Sequence, residues 1–150
     1  MKGKWAEGIE PRNFVWVIKD ALATCERPGG YGEHHRRVRR QEEIIWVRQH
    51  RFDVVYSLIA GSHNLHNYEE LGMPFRHRPW PLHDQLAQYM EVLFTEIRGA
   101  VNAGLRVLVH KEEVDERLCG VMAAYLLWAG LVPDGPQVCL LYTSPSPRDS

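Results

Sequence analysis

The chain has 150 residues, of which 45% are hydrophobic and 25% are charged, so its composition is that of one globular domain and not of a disordered segment. The formal net charge of −1 excludes a global field that would attract nucleic acid or an anionic membrane. The longest apolar run near the start, residues 14–18, is too short for a signal peptide or a membrane span, which favours a cytoplasmic protein.

The first third of the chain begins with a β-rich run and continues into a helical pattern. The run "FVWVI" (14–18) predicts a strand that continues through "ALAT" after a Lys-Asp turn, and "RPGGYG" (27–32) predicts a loop. Residues 34–50 have the spacing of an amphipathic helix, which we expect to face inward with Val38 and Ile45 and outward with its arginines.

The rest of the chain continues the alternation of strands and helices. Strands are predicted at three apolar runs, "DVVYSLI" (53–59), "FRHRPW" (75–80) and "RVLVH" (106–110). Helices are predicted at 63–72, 85–101 and 117–130. This order predicts an α/β fold with a mostly parallel central sheet flanked by helices, in which ligands bind beyond the carboxyl ends of the strands.

The C-terminal segment "CLLYTSPSPRD" (139–149) resembles the translation of a transposase sequencing adaptor. On that interpretation the natural sequence ends near Val138, Cys139 has no biological meaning, and the domain can lack its last helix. A natural Ser/Pro-rich disordered tail stays open as an alternative. The predicted organisation is a flexible N-terminus at 1–12, a folded domain at 13–138 and a non-native tail at 139–150.

The stretch "RVLVHKEEVDER" (106–117) joins a buried strand to a charged loop and an apolar helix. A helix N-terminus offers unpaired N–H groups and a favourable dipole to an anion. Residues 111–117, however, contain two cations and four carboxylates, so the formal net charge of this segment is −2. A phosphate dianion about 4–6 Å from several of these would lose roughly 1 kcal/mol per charge, against about 0.3–1 kcal/mol gained from the helix. The carboxylates can instead be favourable residues at a helix start.

The order of strand, His, loop, Arg and helix resembles the protein tyrosine and dual-specificity phosphatases, whose signature is His-Cys, five residues and Arg. His110 and Arg117 stand at that spacing, and "GVMAAYLLWAG" (120–130) resembles the helix that follows the loop. The likeness covers most of residues 13–137, including the "RPGG" turn, the "VVYSLI" strand and the "RHRPWP" segment. It implies a dual-specificity-phosphatase-like α/β domain.

The resemblance also identifies the catalytic groups that this loop lacks. The family's nucleophile is a cysteine thiolate, and Lys111 stands at that position. Val114 replaces a central glycine that lets the backbone fold tightly around the anion. Leu118 replaces the Ser or Thr that assists the leaving thiolate.

The family's general acid is also missing from its usual place. The segment "PWPLHD" (79–84) resembles a Trp-Pro-Asp loop, with Leu82 where the aspartate would be. Asp84 can substitute as a doubtful general acid, but it can also be the N-cap of the helix at 85–101. Proton donation alone does not restore the reaction without a nucleophile.

The remaining polar residues have simpler structural interpretations. His63 and His66 share a helix face, but no third ligand stands at recognisable spacing, so no metal site is predicted. Cys119 is expected to be a small buried residue and not a displaced nucleophile. The first helix carries a basic patch that can meet a phosphoinositide, a nucleic acid or an acidic partner, or can be a solvated face paired with Glu42 and Glu43. This patch consists of Arg36, Arg37, Arg39 and Arg40.

Two functions from different classes are compatible with these residues. The first is a catalytically inactive phosphatase-like module that binds a protein or phospho-ligand through Lys111 and Arg117, without cofactor, metal, nucleic acid or membrane. In it, Lys111 reaches into the space of a substrate phosphate and pairs with Glu113 or Asp115. The second is a weakly active or divergent phosphatase that uses the same loop, with His110 or Lys111 in the reaction. No residue is assigned as catalytic.

Overall fold

The structure is a computed structural model that describes residues 8–29, 37–62 and 65–131. Its five strands are β1 (Val15–Ile18), β2 (Leu22–Glu26), β3 (Val54–Ser57), β4 (Phe75–His77) and β5 (Val107–Lys111). Its four α-helices are α1 (Arg37–Gln49), α2 (His66–Glu70), α3 (Leu86–Asn102) and α4 (Glu116–Trp128). One turn of 3-10 helix, His83–Gln85, precedes α3.

The strands form one sheet in the order β1-β2-β5-β3-β4. Strands β2, β5, β3 and β4 are parallel neighbours, and only β1 is antiparallel to its neighbour. The predicted α/β fold with a mostly parallel sheet and flanking helices is therefore confirmed. The predicted Lys-Asp turn is present: Asp20 adopts a left-handed φ of 65°, and the chain reverses there into a β1–β2 hairpin.

Strand β5 lies at the centre of the sheet, and all five of its residues are buried. Its side chains alternate between two apolar cores, as the period of a strand requires. Val107 and Val109 belong to the core that also contains residues of α3 and α4, whereas Leu108 belongs to the core that contains residues of α1 and α2. This two-sided burial explains why β5 has an apolar sequence.

Helix α1 presents a different face to the sheet from the one predicted. Val38 is 64% exposed, so its predicted inward position is wrong, and Arg40 is only 7% exposed, so its predicted outward position is also wrong. The buried stripe contains two charged and two apolar residues at helical spacing, Arg40, Glu43, Ile44 and Val47.

The buried charges of α1 hold polar groups that come from other parts of the chain. The guanidinium Nε of Arg40 donates to Asn67 Oδ1 at 2.6 Å. Glu43 accepts from the backbone N–H of Gly29 at 2.8 Å and pairs with Arg39. The predicted pairing of the arginines with Glu43 therefore exists, but it is largely buried and not a solvated surface pair.

Some predicted features lie outside the described residues. They include residues 1–7 of the predicted N-terminus, 30–32 of the predicted loop, 34–36 of the first predicted helix, His63, residues 132–138 of the predicted domain, and the segment 139–150 with Cys139. None of the helices in the described ranges has the length and apolar character that crossing a membrane requires.

We expect Arg40→Ala to lower the free energy of unfolding by about 2–3 kcal/mol, because the substitution leaves the carbonyl of Asn67 buried without its charged donor. Urea denaturation measures this loss. Arg48→Ala is the matched control, since Arg48 is exposed on the same helix and should change stability by less than about 0.5 kcal/mol. Equal losses in both variants would contradict the inward position of Arg40.

Candidate functional site

The carboxyl ends of four parallel strands bring a row of polar side chains together. His110 at the end of β5 pairs in register with Cys25 of β2 on one side and with Ser57 of β3 on the other. Ser57 in turn pairs in register with His77 of β4. This is the sheet edge at which ligands bind in parallel α/β folds, and the loop after β5 leaves from it.

His110 is fully buried, and its ring is hydrogen-bonded at both nitrogens. Nδ1 lies 3.1 Å from the carbonyl oxygen of Lys111, and Nε2 lies 2.9 Å from the hydroxyl of Tyr68. A carbonyl only accepts, so Nδ1 carries the proton and Nε2 accepts from the tyrosine. Burial lowers the pKa of His110 to about 4, only partly offset by the hydrogen bond to Lys111. His110 is therefore a neutral, positioned residue that faces the core.

Lys111, the residue for which the loop spacing predicts the position of the family's nucleophile, is only 7% exposed. Its ammonium nitrogen lies 3.9 Å from a carboxylate oxygen of Asp115 and 4.7 Å from the centre of the Trp80 ring. Asp115, one of the two partners predicted for Lys111, is within ion-pair distance of its ammonium group. The ammonium thus connects the loop after β5 with the segment before α3.

The loop carboxylates have separate structural roles. Asp115 is the N-cap of α4, where its side chain accepts from the backbone N–H of Leu118 at 3.0 Å. Glu116 lies in the first helical turn, which favours negative charge. Glu112 reaches across to accept from the backbone N–H of Ala60, after β3, at 3.1 Å. The alternative that a loop carboxylate is the N-cap of the following helix therefore applies to Asp115. Glu112 links the loop by a hydrogen bond to the segment that follows the neighbouring strand.

The other loop positions differ in exposure. The side chain of Arg117 is exposed in the first turn of α4. Val114 packs against the apolar core on the α3 and α4 side. Leu118 and Cys119 are buried, at 1% and 5% exposure, so the prediction that Cys119 is a small buried residue is confirmed.

The segment before α3 is held against the sheet by backbone and side-chain contacts. The N–H groups of Arg78 and Trp80 donate to the carbonyls of Ser57 and Leu58. Arg78 forms two hydrogen bonds with Glu96 of α3, at 2.9 and 3.0 Å. These contacts place the Trp80 ring beside Lys111.

Asp84 is not the N-cap of the helix that follows it. It lies within the 3-10 turn His83–Gln85, so α3 begins at Leu86 with Gln85 in the capping position and without a side-chain capping bond. The 3-10 turn satisfies the backbone there, because the N–H of Gln85 donates to the carbonyl of Leu82. Leu82 itself is 71% exposed.

A small cavity lies beneath the loop, on the α1 and α2 side of the sheet. Its volume is about 10 Å³, its lining surface is apolar, and Arg40, Tyr68 and His110 are among the residues around it. The cavity is too small for a phosphate group. Across the described ranges, no group of three or more His, Cys, Asp or Glu residues is arranged to hold a metal ion.

Sequence reasoning missed three contacts of this site. They are Tyr68 with His110, Glu112 with the N–H of Ala60, and Lys111 with Trp80. Each joins residues that are far apart in sequence. Ala60, Trp80, His110, Lys111 and Glu112 lie in or beside predicted strand ends, but this signal does not select the pairs, and Tyr68 lies inside a predicted helix.

The structure is similar to solved phosphatases, although the sequence similarity is low. Kinase associated phosphatase (KAP), in a form with serine at its catalytic-site cysteine, matches with a TM-score of 0.67, 17% identity and coverage of 86% of this chain and 80% of that chain. Tk-PTP in its active form matches with a TM-score of 0.64, 18% identity and coverage of 87% and 84%. A point variant of human DUSP28 matches with a TM-score of 0.59, 17% identity and coverage of 89% and 84%.

The chain has the fold of the protein tyrosine and dual-specificity phosphatases. The resemblance inferred from the loop spacing and the layout of strands and helices is thereby confirmed at the level of the fold. No protein-family model matches the sequence, and no curated protein sequence matches it.

We expect the stability of the domain to fall as the pH decreases from about 6.5 to about 4. The pKa of His110 is about 4 in the folded state and about 6.5 when unfolded, so in this range the unfolded chain binds the proton more strongly. The contribution of neutral His110 to the free energy of unfolding is fully present above pH 6.5, and at most about 3 kcal/mol of it is lost by pH 4.

Urea denaturation at a series of pH values measures this dependence. His110→Gln removes the titrating group and should flatten the curve between pH 4 and 6.5, relative to its own stability at pH 7. His66→Gln is the control, because His66 is exposed and its loss should leave the slope unchanged. A curve for His110→Gln as steep as that of the parent chain would contradict the buried, neutral state of His110.

Asp115 should stabilise the domain more as a helix cap than as an ion-pair partner. We expect Asp115→Ala to cost about 1 kcal/mol, because the N–H of Leu118 loses its acceptor. Asp115→Asn keeps a capping oxygen and should cost less than Asp115→Ala, and the part that it does cost reports the loss of the carboxylate beside the buried ammonium of Lys111. Equal losses of unfolding free energy in the two variants would show that the charge matters more than the cap.

Proposed function

We propose that this chain is a phosphatase-like binding module that does not hydrolyse phosphate esters. The observation that carries the proposal is the position of Lys111. A lysine ammonium has three donors and no lone pair, so it cannot attack phosphorus as a thiolate does. With Asp115 and the Trp80 ring beside it, its charge is engaged inside the protein.

The surroundings of Lys111 support the same proposal. His110 is buried and neutral, so it adds no positive charge that would favour a phosphate at the loop. Val114 and Leu118 stand where the family has a flexible glycine and a hydroxyl group, and both pack into the protein. The start of α4 already has Asp115 as a capping carboxylate, which competes with an external anion for the same N–H groups.

Lys111 and Arg117 are the residues that we propose for contact with a ligand. They differ in availability, because Lys111 is buried whereas Arg117 is exposed. A phospho-ligand would meet Arg117 first and would have to displace Asp115 to reach Lys111. We therefore propose a protein partner in preference to a phosphate ester, and a cytoplasmic location for the interaction.

We expect no turnover of para-nitrophenyl phosphate above the buffer background. Lys111→Cys alone should restore little activity, since Val114 and Leu118 remain and the carboxylates still repel the substrate. Absorbance of released nitrophenolate measures both rates, with an active dual-specificity phosphatase assayed in parallel.

Two results would overturn the proposal. The first is turnover by the parent chain that disappears in Lys111→Ala, which would identify a divergent phosphatase that uses the same loop. The second is robust turnover by Lys111→Cys, which would mean that the loop still holds a phosphate group in a reactive position. Lys19→Ala is the matched control for both, because Lys19 is exposed in the β1–β2 turn.

A further inference from the structure

An open groove lies beside the loop, along the segment before α3 and the first half of that helix. Its volume is about 630 Å³. Its walls are mostly apolar or aromatic, and they include two large hydrophobic side chains that solvent reaches, Leu82 at 71% and Val92 at 50% exposure. Two exposed apolar side chains along one groove make it a candidate for contact with a partner.

The aromatic part of the groove has a defined geometry. The rings of Trp80 and Tyr89 meet edge to face, with centres 5.8 Å apart and planes at 62°. The hydroxyl of Tyr89 donates to the carbonyl of Arg78 at 2.6 Å, which fixes the orientation of this ring. Pro79 and Pro81 flank Trp80 and limit the backbone on both sides.

The groove therefore offers a preformed aromatic surface. Gln85 and Gln88 add amide groups that can donate to the carbonyls of an extended ligand.

The electrostatics of this face favour a cationic ligand. Residues 79–92 contain Asp84 and Glu91, both exposed, and no lysine or arginine. Two cations beside the groove walls are each paired with a carboxylate, Lys111 with Asp115 and Arg78 with Glu96. An anionic or phosphorylated segment would be repelled here, whereas an arginine or lysine would be attracted.

We propose that this groove binds an extended, proline-containing segment of a partner protein that carries arginine or lysine beside its apolar residues. Prolines in an extended helix pack against paired aromatic rings with little loss of conformational entropy, and flanking cations would be attracted by the exposed carboxylates of Asp84 and Glu91 in the same segment. The inference rests on the proposed function, because it makes the site a protein-binding surface.

The probe is a fluorescein-labelled peptide, Arg-Arg-Leu-Pro-Pro-Leu-Pro, titrated with the full chain while fluorescence anisotropy is recorded. We expect saturable binding that weakens as salt is added. A second peptide with glutamate in place of both arginines, and a third with glycine in place of the prolines, should each bind at least about tenfold more weakly, which corresponds to 1.4 kcal/mol. Equal binding of all three peptides overturns the proposal.

Variants locate the binding. Leu82→Gln and Val92→Gln should each weaken binding of the first peptide by roughly fivefold to tenfold, because each removes exposed apolar surface from the groove. Leu105→Gln is the matched control: Leu105 is 39% exposed and precedes β5, at the opposite end of that strand from the loop, so binding should be unchanged. Urea denaturation confirms that each variant is folded. Binding that survives both groove variants overturns the proposal.

Two further results separate this inference from its alternatives. Sedimentation that shows a dimer of the parent chain, dissociated by Val92→Gln, would assign the groove to a second copy of the chain and overturn the partner proposal. Turnover of para-nitrophenyl phosphate together with peptide binding would overturn the proposed function but not the proposal that the groove binds a peptide. Absence of both turnover and peptide binding would overturn only the proposal that the groove binds a peptide.

Discussion

The burial of Lys111 at the end of the central strand is the constraint on which the site depends. A buried ammonium has to be compensated, because its removal from water is costly. Here the compensation comes from Asp115 and from the face of the Trp80 ring. Asp115 also starts α4, and Trp80 is held by the carbonyl of Leu58, so a single side chain couples the loop, the helix start and the segment before α3.

This coupling changes what the loop after β5 can recognise. In an anion-binding loop, the positive end of the helix and nearby cations face outward to a ligand. In this chain, Asp115 takes up an N–H group of the helix start, Lys111 is directed to an internal carboxylate, and burial keeps His110 neutral. We infer that the fold retains the scaffold of an anion site, while its charges are satisfied within the protein.

The sequence predicts the fold better than it predicts which side chains meet. The apolar runs of β3 and β5 were recognisable because strands buried on both faces have few polar residues. The face of α1 was assigned wrongly because its buried stripe includes Arg40 and Glu43, whose partners, Asn67 and Gly29, lie elsewhere in the chain. The helix-cap alternative for Asp84 fails because a 3-10 turn precedes α3, and such a turn is not visible in residue spacing.

The site shows the same limit on a smaller scale. The pairing of Lys111 with Asp115 could be predicted, since the two residues are four positions apart across one short loop. The contact of Lys111 with Trp80 could not, because it depends on how α3 and β5 pack. That contact has a consequence for binding: it holds Trp80 in place before any ligand arrives. A surface that is already ordered loses less conformational entropy on binding. By holding the Trp80 ring, Lys111 can therefore also lower the entropic cost of binding at the neighbouring groove.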